Sequence, residues 1–144
     1  MIYTDLTKKA IKIMFEAHKD QRDKSGLPYV FHPWHVAESM DDEASTCVAL
    51  LHDIVEDTDM TFDDLAAEGF GDEIINALRY LTKPDDQDYM EYVKHVAENP
   101  LAVKVKLSDL RHNSDLSRLD SVDEAALSRR EKYLKAIDYL ESLE

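Results

Sequence analysis

The chain has 144 residues, a length that predicts one domain with a single hydrophobic core. Hydrophobic residues make up 44% of it, with only 3 Gly and 4 Pro, so we expect a folded globular protein. Acidic residues outnumber basic ones by 31 to 17, and the formal charge is −14. This charge excludes nucleic acid as an expected partner, because a nucleic-acid-binding surface needs cations. A phosphorylated small molecule remains compatible, since a metal ion and a few lysines can reverse the local potential.

The location of the protein is indicated by two further features of its composition. Cys47 is the single cysteine, so no intrachain disulfide can form, as is typical of a reducing compartment. No apolar run approaches the roughly 20 residues that a membrane span requires, and the first residues lack a signal-peptide pattern. We therefore expect a cytoplasmic protein without a membrane partner.

The first half of the chain shows helical periodicity with one interruption. Apolar residues at helical spacing predict a first helix over residues 4–19, and Thr4 and Thr7 are suitable caps. The segment 24–28, Lys-Ser-Gly-Leu-Pro, predicts a turn. A short second helix is expected from Pro33 to about residue 40, because proline suits the first helical position. A central helix then opens at Asp41 and Asp42 and continues to Asp57.

The second half is divided by capping residues. Thr61 and Asp64 form a capping-box pattern, and Gly69 is a suitable helix stop. Further helices are predicted over residues 71–81 and 89–98. The next helix ends near Asn113, although its Val-Lys-Val-Lys-Leu start alternates like a strand. A second capping-box pattern, Ser121 with Glu124, predicts the start of a long final helix. Without repeats or an internal boundary, the sequence predicts an all-α, single-domain helical bundle over residues 1–144.

The central helix carries an unusual polar face. With about 100° per residue, His52, Asp53, Glu56 and Asp57 fall within an arc of about 140°, opposite an apolar stripe. An ordinary solvated acidic face is the alternative interpretation of such a string. Adjacent residues on a helix point about 100° apart, so His52 and Asp53 can share one ion only if their rotamers converge.

Three separated segments offer metal ligands: His32, the His52–Asp53 pair, and Asp109. A mixed imidazole and carboxylate set suits Mn, Fe, Zn or Mg rather than a thiolate zinc centre. Taken singly, His32 is also explained as a structural histidine before Pro33, and Asp109 as a surface carboxylate. Spacing alone does not bring these segments together.

Together, however, the segments resemble a known family, the HD superfamily of metal-dependent phosphohydrolases. The chain is most similar to the alarmone hydrolase domain of RelA/SpoT-type proteins and to their small stand-alone relatives. Three blocks in order carry this resemblance: A-H-x-x-Q…K-S-G-x-P-Y-x-x-H-P over residues 17–33, H-D-x-x-E-D over 52–57, and K-L-x-D-x-x-H-N over 106–113. Such an ordered set is far more specific than the His-Asp pair alone and disfavours the solvated-face interpretation.

The resemblance implies one Mn²⁺ ion, with other divalent metals as alternatives, and a set of ligands: His32, His52, Asp53 and Asp109. It implies that Glu56 and Asp57 activate or position the attacking water and that Asn113 contacts water or substrate. The family removes pyrophosphate from the 3′ position of guanosine tetra- or pentaphosphate without a covalent intermediate. A chain of this length has room for the hydrolase part only.

Substrate recognition is where the sequence departs from the family pattern. The usual arginine before the Lys-Ser-Gly turn is Asp23, and the threonine usually found three residues after Asn113 is Leu116. A carboxylate neither stacks on a purine nor donates hydrogen bonds to it, so we expect weakened base discrimination. The predicted substrate-binding residues are Arg22, Lys24, Ser25 and Asn113.

Two other functions remain open at this stage. The chain can be an HD phosphohydrolase for another nucleotide, such as a nucleoside monophosphate or the 2′-phosphate of NADPH. The Glu56–Asp57 pair favours the alarmone, because plain HD nucleotidases need not carry it. A non-catalytic nucleotide sensor is the third alternative, and the intact ligand and carboxylate set argues against it.

Overall fold

Helices account for all of the regular structure in the computed structural model, which describes residues 1–143. In chain order they are α1 Asp5–His18, α2 Phe31–Glu38, α3 Glu43–Leu51, α4 Ile54–Asp57, α5 Phe62–Ala67, α6 Asp72–Leu81, α7 Tyr89–Val96, α8 Pro100–Asn113, a 3₁₀ turn Leu116–Arg118, and α9 Glu124–Glu141. An isolated bridge between Arg22 and Pro28 is the only β pairing in this part of the chain. The prediction of an all-α fold is confirmed. Among the described residues, no helix combines the length and the apolar character that crossing a membrane requires.

Helix α3 lies at the centre of the fold, where α1, α2, α6 and α8 all pack against it. Its apolar residues, including Cys47, Val48 and Leu50, are fully buried. Burial of each such leucine or valine side chain contributes about 1.5–3 kcal/mol, so the position of α3 is strongly fixed. The carboxyl end of α3 is therefore a rigid platform for the residues that follow it.

Most predicted helix boundaries agree with the structure because the capping residues act as expected. Thr4 accepts a hydrogen bond from the backbone N–H of Thr7, and the hydroxyl of Thr7 accepts one from the N–H of Thr4. The same reciprocal arrangement joins Thr61 and Asp64 at the start of α5. Gly69 ends that segment at φ = 102°, in the left-handed region that glycine tolerates.

The central helix is not continuous, and on this point the prediction was wrong. Helix α3 ends at Leu51, and α4 begins at Ile54 after a turn at His52 and Asp53. Asp53 has φ = −105° and ψ = −1°, outside regular helix, and its carbonyl oxygen accepts the N–H of Asp57 at 3.0 Å. The helical periodicity of the sequence continues through this break, so periodicity could not show it.

Two other boundaries, the starts of α2 and α9, differ from prediction, whereas the start of α8 is helical as predicted. Helix α2 starts at Phe31, two residues before Pro33, because the N–H of Phe31 already bonds the carbonyl of Pro28 at 3.3 Å. The strand-like start of α8 is helical, with Asn99 as its cap. The final helix is capped by Asp123 rather than by Ser121, since the Asp123 carboxylate accepts the N–H of Ala126 at 2.8 Å.

Candidate metal centre and substrate cleft

Three residues from three different helices converge at the carboxyl end of α3. His32 comes from α2, His52 follows α3, and Asp109 comes from α8. One ligand atom of each lies within 4.8 Å of the corresponding atoms of the others. The Nε2 atom of His32 is 2.8 Å from Oδ1 of Asp109, and Nε2 of His52 is 3.5 Å from the same oxygen. All three side chains are buried.

Asp53 completes this group, and the break after α3 explains how. Its Oδ2 atom lies 3.0 Å from Nε2 of His52 and 3.9 Å from Nε2 of His32. On an unbroken helix these neighbouring side chains would diverge by about 100°. The turn between α3 and α4 removes that divergence. The structure thus brings together all four residues that the sequence proposes as metal ligands.

The donor atoms of this cluster fit a cation. Nδ1 of His52 lies 2.6 Å from the carbonyl oxygen of Ala49, so Nδ1 carries the proton and Nε2 is the atom that faces the cluster. That Nε2 atom is buried and has no hydrogen-bond partner among the described residues. An imidazole oriented by a backbone carbonyl, with its other nitrogen directed at carboxylates, is the usual arrangement of a histidine that binds a metal.

The charges in the cluster also favour a bound cation. Burial by itself lowers the pKa of His52, but the carboxylates of Asp53 and Asp109 raise it well above its ordinary value. Burial opposes ionisation of Asp109 as well, yet the neighbouring Lys106 and His32 hold its pKa well below the usual range. The site is therefore built for positive charge between its carboxylates, which a divalent ion supplies more effectively than a proton.

Two supporting residues, Lys106 and Tyr29, were not identified from the sequence as part of the site, whereas Asn113 was. The ammonium group of Lys106 pairs with Oδ2 of Asp109 at 2.8 Å, and Nδ2 of Asn113 donates to Oδ1 at 3.0 Å. The hydroxyl of Tyr29 donates to Oδ2 of Asp53. Lys106 and Asp109 are three residues apart on α8, a spacing that could have indicated the pair. The contact between Tyr29 and Asp53 depends on the tertiary fold and has no local pattern.

His32 is held by a second histidine. Nδ1 of His32 lies 2.7 Å from Nδ1 of His112, so one of these two nitrogens donates to the other. The His112 ring stacks on His32 and, at a centroid distance of 4.0 Å, on His35. Burial and the neighbouring His32 lower the pKa of His112 to about 4, so His112 is neutral near pH 7. A neutral His112 can accept the Nδ1–H of His32 and leave Nε2 free to bind a metal.

Glu56 and Asp57 lie beside the cluster rather than in it. Both are on α4, one turn beyond His52 and Asp53, and both are exposed to the cleft. The backbone N–H of Lys83 donates to Glu56 and fixes its carboxylate. Partial desolvation raises the pKa of both carboxyls, and the charge of Asp53 acts in the same direction. A carboxylate with a raised pKa is a better proton acceptor, as a general base requires.

Two cavities flank the cluster and share Tyr29, Asn113 and Tyr133 in their walls. The first, about 390 Å³, is called here the arginine cavity because its lining includes Arg22, Arg118 and Arg129. The second, about 550 Å³, is called the lysine cavity because its lining includes Lys83, Lys106 and Lys132, together with Glu56 and Asp57. The two cavities form one cleft on either side of the buried cluster.

Basic side chains from several segments line the cleft, beside its carboxylates, although the chain as a whole carries −14. Desolvation lowers the pKa of Lys132, and the nearby positive charges of Lys24, Lys83, Lys106 and Arg129 lower it further. These charges come from the Lys-Ser-Gly loop, the segment after α6, and helices α8 and α9. Grouped cations of this kind favour an anionic ligand.

The sequence-predicted substrate residues occupy different places in this cleft. Arg22, Lys24 and Ser25 line the arginine cavity, and Asn113 lines both cavities. Arg22 donates to the carbonyl of Gly26 at 3.1 Å, within its own loop. Asp23, one residue further, is paired with a different arginine, Arg118, at 3.3 Å.

Comparison with known families agrees with this geometry. The family model described as HD domain matches residues 10–112, which include His32, the His52–Asp53 pair and Asp109. The chain belongs to the HD domain family. The match also covers α4, so this HD domain carries Glu56 and Asp57 within the matched range.

Two curated relatives of this HD domain are much longer than this chain and match it over only part of their own length. A guanosine-3′,5′-bis(diphosphate) 3′-pyrophosphohydrolase of Aquifex aeolicus is 32% identical over 139 residues, 88% of this chain and 19% of the relative. A probable enzyme of the same name from Synechocystis is 33% identical over 120 residues, 73% of this chain and 16% of the relative. The HD domain therefore spans about a fifth of the length of these relatives.

A solved structure resembles the HD domain over nearly its whole length. It is described as a metazoan ortholog of SpoT that hydrolyzes ppGpp and plays a role in starvation responses. The TM-score is 0.79 and the sequence identity 25%, and the match covers 97% of this chain and 88% of the other. The arrangement of helices is therefore shared with a structure of similar size.

Proposed function

We propose that this HD domain is a metal-dependent phosphohydrolase that removes pyrophosphate from the 3′ position of guanosine tetra- and pentaphosphate alarmones. The observation that carries the proposal is the convergence of His32, His52 and Asp109 within 4.8 Å, beside two further carboxylates and a cavity whose lining includes three lysines. The names of the relatives, and the ppGpp-hydrolysing SpoT ortholog of similar fold, support the choice of substrate. A cytoplasmic location, where alarmones occur, is part of the proposal.

The proposed cofactor is one Mn²⁺ ion held by His32, His52, Asp53 and Asp109. Two imidazoles and two carboxylates suit a borderline divalent ion of this kind. When bound, such an ion polarises a phosphoryl oxygen and lowers the pKa of a water molecule. The buried, unpartnered Nε2 of His52 is the structural feature that supports this assignment.

Glu56 and Asp57 are proposed to accept the proton of the attacking water. The water oxygen forms a bond to the phosphorus attached to the ribose, and the bond between this phosphorus and the 3′ oxygen breaks. The 3′ oxygen takes up a proton and leaves as a hydroxyl, so pyrophosphate is released together with guanosine 5′-diphosphate from the tetraphosphate or guanosine 5′-triphosphate from the pentaphosphate. Desolvation raises the pKa of Glu56, which makes this carboxylate a better proton acceptor than an ordinary exposed one.

The two cavities suggest how the substrate lies. Lys83, Lys106 and Lys132 line the cavity that contains Glu56 and Asp57, so phosphate groups are proposed to lie on this side. The arginine cavity, about 390 Å³, falls within the usual size range of small-ligand sites and is proposed to hold the nucleoside. Asn113 lines both cavities and is proposed to donate its second amide N–H to the ribose or its phosphate.

The deciding experiment is a release assay over a panel of nucleotides. Purified protein is incubated with guanosine tetraphosphate, nucleoside monophosphates and NADPH, each with Mn²⁺, Mg²⁺, Co²⁺ or Zn²⁺, and phosphate and pyrophosphate are measured separately. We expect pyrophosphate from guanosine tetraphosphate, with Mn²⁺ most effective. Release of phosphate from another nucleotide alone would transfer the assignment to the broader phosphohydrolase class. Tight binding of a nucleotide without any release would indicate a sensor.

A further inference from the structure

Asp23 and Arg118 form an ion pair in the wall of the arginine cavity, although 95 residues separate them in sequence. An Nη1–H of Arg118 donates to Oδ2 of Asp23 at 3.3 Å, and an Nη2–H donates to the carbonyl of His112 at 3.1 Å. The Arg118 side chain is 24% exposed and the Asp23 side chain is 14% exposed. The guanidinium is therefore fixed at two points and partly desolvated.

Asp23 uses its other oxygen to organise the Lys-Ser-Gly loop. Oδ1 accepts hydrogen bonds from the N–H of Ser25 at 2.9 Å, from the Ser25 hydroxyl at 2.6 Å, and from the N–H of Leu27 at 3.0 Å. With one oxygen in the loop and the other on Arg118, this carboxylate is largely occupied. Its negative charge is balanced within the cavity wall, so it does not face a substrate alone.

Arg118, in contrast, has donors left over. A guanidinium carries five N–H groups, and the contacts to Asp23 and His112 use two of them. Its Nε atom is buried and has no hydrogen-bond partner in residues 1–143. The N–H groups of Nη1 and Nη2 that remain unused are the donors that a ligand in the cavity can meet, since Arg118 lines the cavity and its side chain is 24% exposed. Because Arg118 is already held in place, binding such a ligand does not require it to lose much freedom.

We propose that Arg118 is the residue that recognises the purine base of the substrate, with Asp23 as the residue that holds it in position. This inference rests on the proposed function. Guanine presents two acceptors, N7 and O6, that match a guanidinium, whereas adenine presents a donor amino group at the second position. The pair therefore predicts a preference for guanine, in contrast to the weakened discrimination that Asp23 alone suggests.

The test compares guanine and adenine versions of the same 3′-pyrophosphorylated nucleotide. For the native protein, kcat/KM should favour guanine by about tenfold or more, as expected for two hydrogen bonds to a base edge. Arg118→Gln should reduce this ratio to within about threefold, mainly through KM for the guanine substrate. Arg118→Lys should not restore the ratio, because an ammonium lacks the planar pair of donors. Arg111→Gln is the matched control, since Arg111 pairs with Glu141 on the surface and is 57% exposed.

A purely structural role for Arg118 predicts a different result. Loss of loop order would lower kcat/KM for both bases equally and leave their ratio unchanged, and an unchanged ratio in Arg118→Gln overturns the proposal. Asp23→Asn keeps only one acceptor oxygen, which can serve either Arg118 or the loop, so the preference should fall by less than in Arg118→Gln. If Asp23→Asn abolishes the preference and Arg118→Gln keeps it, the carboxylate recognises the base and the assignment to Arg118 is wrong.

A binding measurement keeps this inference separate from the proposed activity. Calorimetric titration with guanosine and adenosine diphosphates requires no turnover. Tighter binding of the guanosine compound to the native protein, lost in Arg118→Gln, supports the inference even if no pyrophosphate is released. Equal binding of both compounds to the native protein refutes it, even if guanosine tetraphosphate is hydrolysed.

Discussion

The metal centre and the arginine cavity lie side by side in one cleft, yet their residues are constrained in different ways. In the metal centre, the proposed ligands are two histidines and two aspartates at fixed places on α2, α8 and the break after α3. In the arginine cavity, the guanidinium paired with Asp23 comes from the 3₁₀ turn after α8 rather than from the loop. A metal ion binds few types of ligand atom, and these must lie at defined positions around it. A purine base, in contrast, can accept hydrogen bonds from a guanidinium on any side of the cavity.

This difference explains why the family resemblance predicts the residues of the metal centre well and those of the arginine cavity poorly. A ligand moved to another segment would miss the ion, because metal–ligand distances vary by only a few tenths of an ångström. A long, flexible arginine can reach the same volume from several segments. Sequence motifs therefore preserve the chemistry of the reaction more faithfully than the recognition of its substrate.

The strongest test of the metal end is Asp53→Ala. Removing a buried ligand carboxylate leaves no nearby group to replace it, so we expect loss of the bound ion and of all turnover. Elemental analysis of the purified variant measures the first effect independently of the second. Asp63→Ala, at an exposed position on α5, is the control. Full metal occupancy in the Asp53 variant would show that the ion does not bind here.

Glu56→Gln separates binding of the ion from transfer of the proton. The amide keeps the shape and the hydrogen bond from Lys83 but cannot accept a proton, so kcat should fall by roughly 10²-fold or more. Metal content should remain that of the native protein, because Glu56 lies outside the ligand cluster. Glu98→Gln, exposed at the end of α7, serves as the control. Near-native turnover would show that Glu56 is a solvated surface carboxylate without a role in proton transfer.

His112→Ala tests the support behind the metal ligands. The variant removes the partner of His32 Nδ1, and loss of such an outer partner typically weakens metal binding by about 10–100-fold. Titration with Mn²⁺, followed by isothermal calorimetry, gives the affinity directly. His95→Ala removes a surface histidine that pairs with Glu98 and should have no effect. Unchanged Mn²⁺ affinity in the His112 variant would show that His112 contributes to packing, for example by stacking on His35, and does not support metal binding.

The smallest effect is expected for Ser25→Ala, in the arginine cavity. The Ser25 hydroxyl donates to Asp23 at 2.6 Å, so its removal should loosen the loop without removing a direct contact. We expect KM to rise by less than about threefold, within the usual range for a surface substitution. A rise of tenfold or more, at unchanged kcat, would mean that Ser25 itself contacts the substrate.

Most helix boundaries could be predicted from the sequence because they depend on contacts between residues close together in the chain. Caps such as Thr4 and Thr61 bond to residues three positions away, and the apolar stripe of α3 is a periodic pattern. The start of α9 was less accessible, since Ser121 and Asp123 are both acceptable caps by residue type. In the structure the Asp123 side chain caps the helix, and this choice depends on the backbone conformation before α9.

The site could be predicted from the sequence only in part, for two physical reasons. The turn at His52 and Asp53 leaves the helical period intact, so the geometry that joins these two ligands could not be inferred. The contacts that complete the site, such as Tyr29 with Asp53 and Arg118 with Asp23, join residues far apart in sequence. Neither kind of contact has a local pattern, and each depends on how the helices pack.

The lysines of the cleft, set in an acidic protein, also predict a size limit for ligands. Lys83, Lys106 and Lys132 line the same cavity as four carboxylates, so a compact ligand of a few phosphates can pair with the lysines and with an ion held between the carboxylates. A longer polyanion must extend beyond the cleft, where a chain of net charge −14 repels it within a distance of about 8–10 Å at physiological salt. We therefore expect free nucleotides to bind and RNA, which carries the same phosphate and base chemistry, to be excluded.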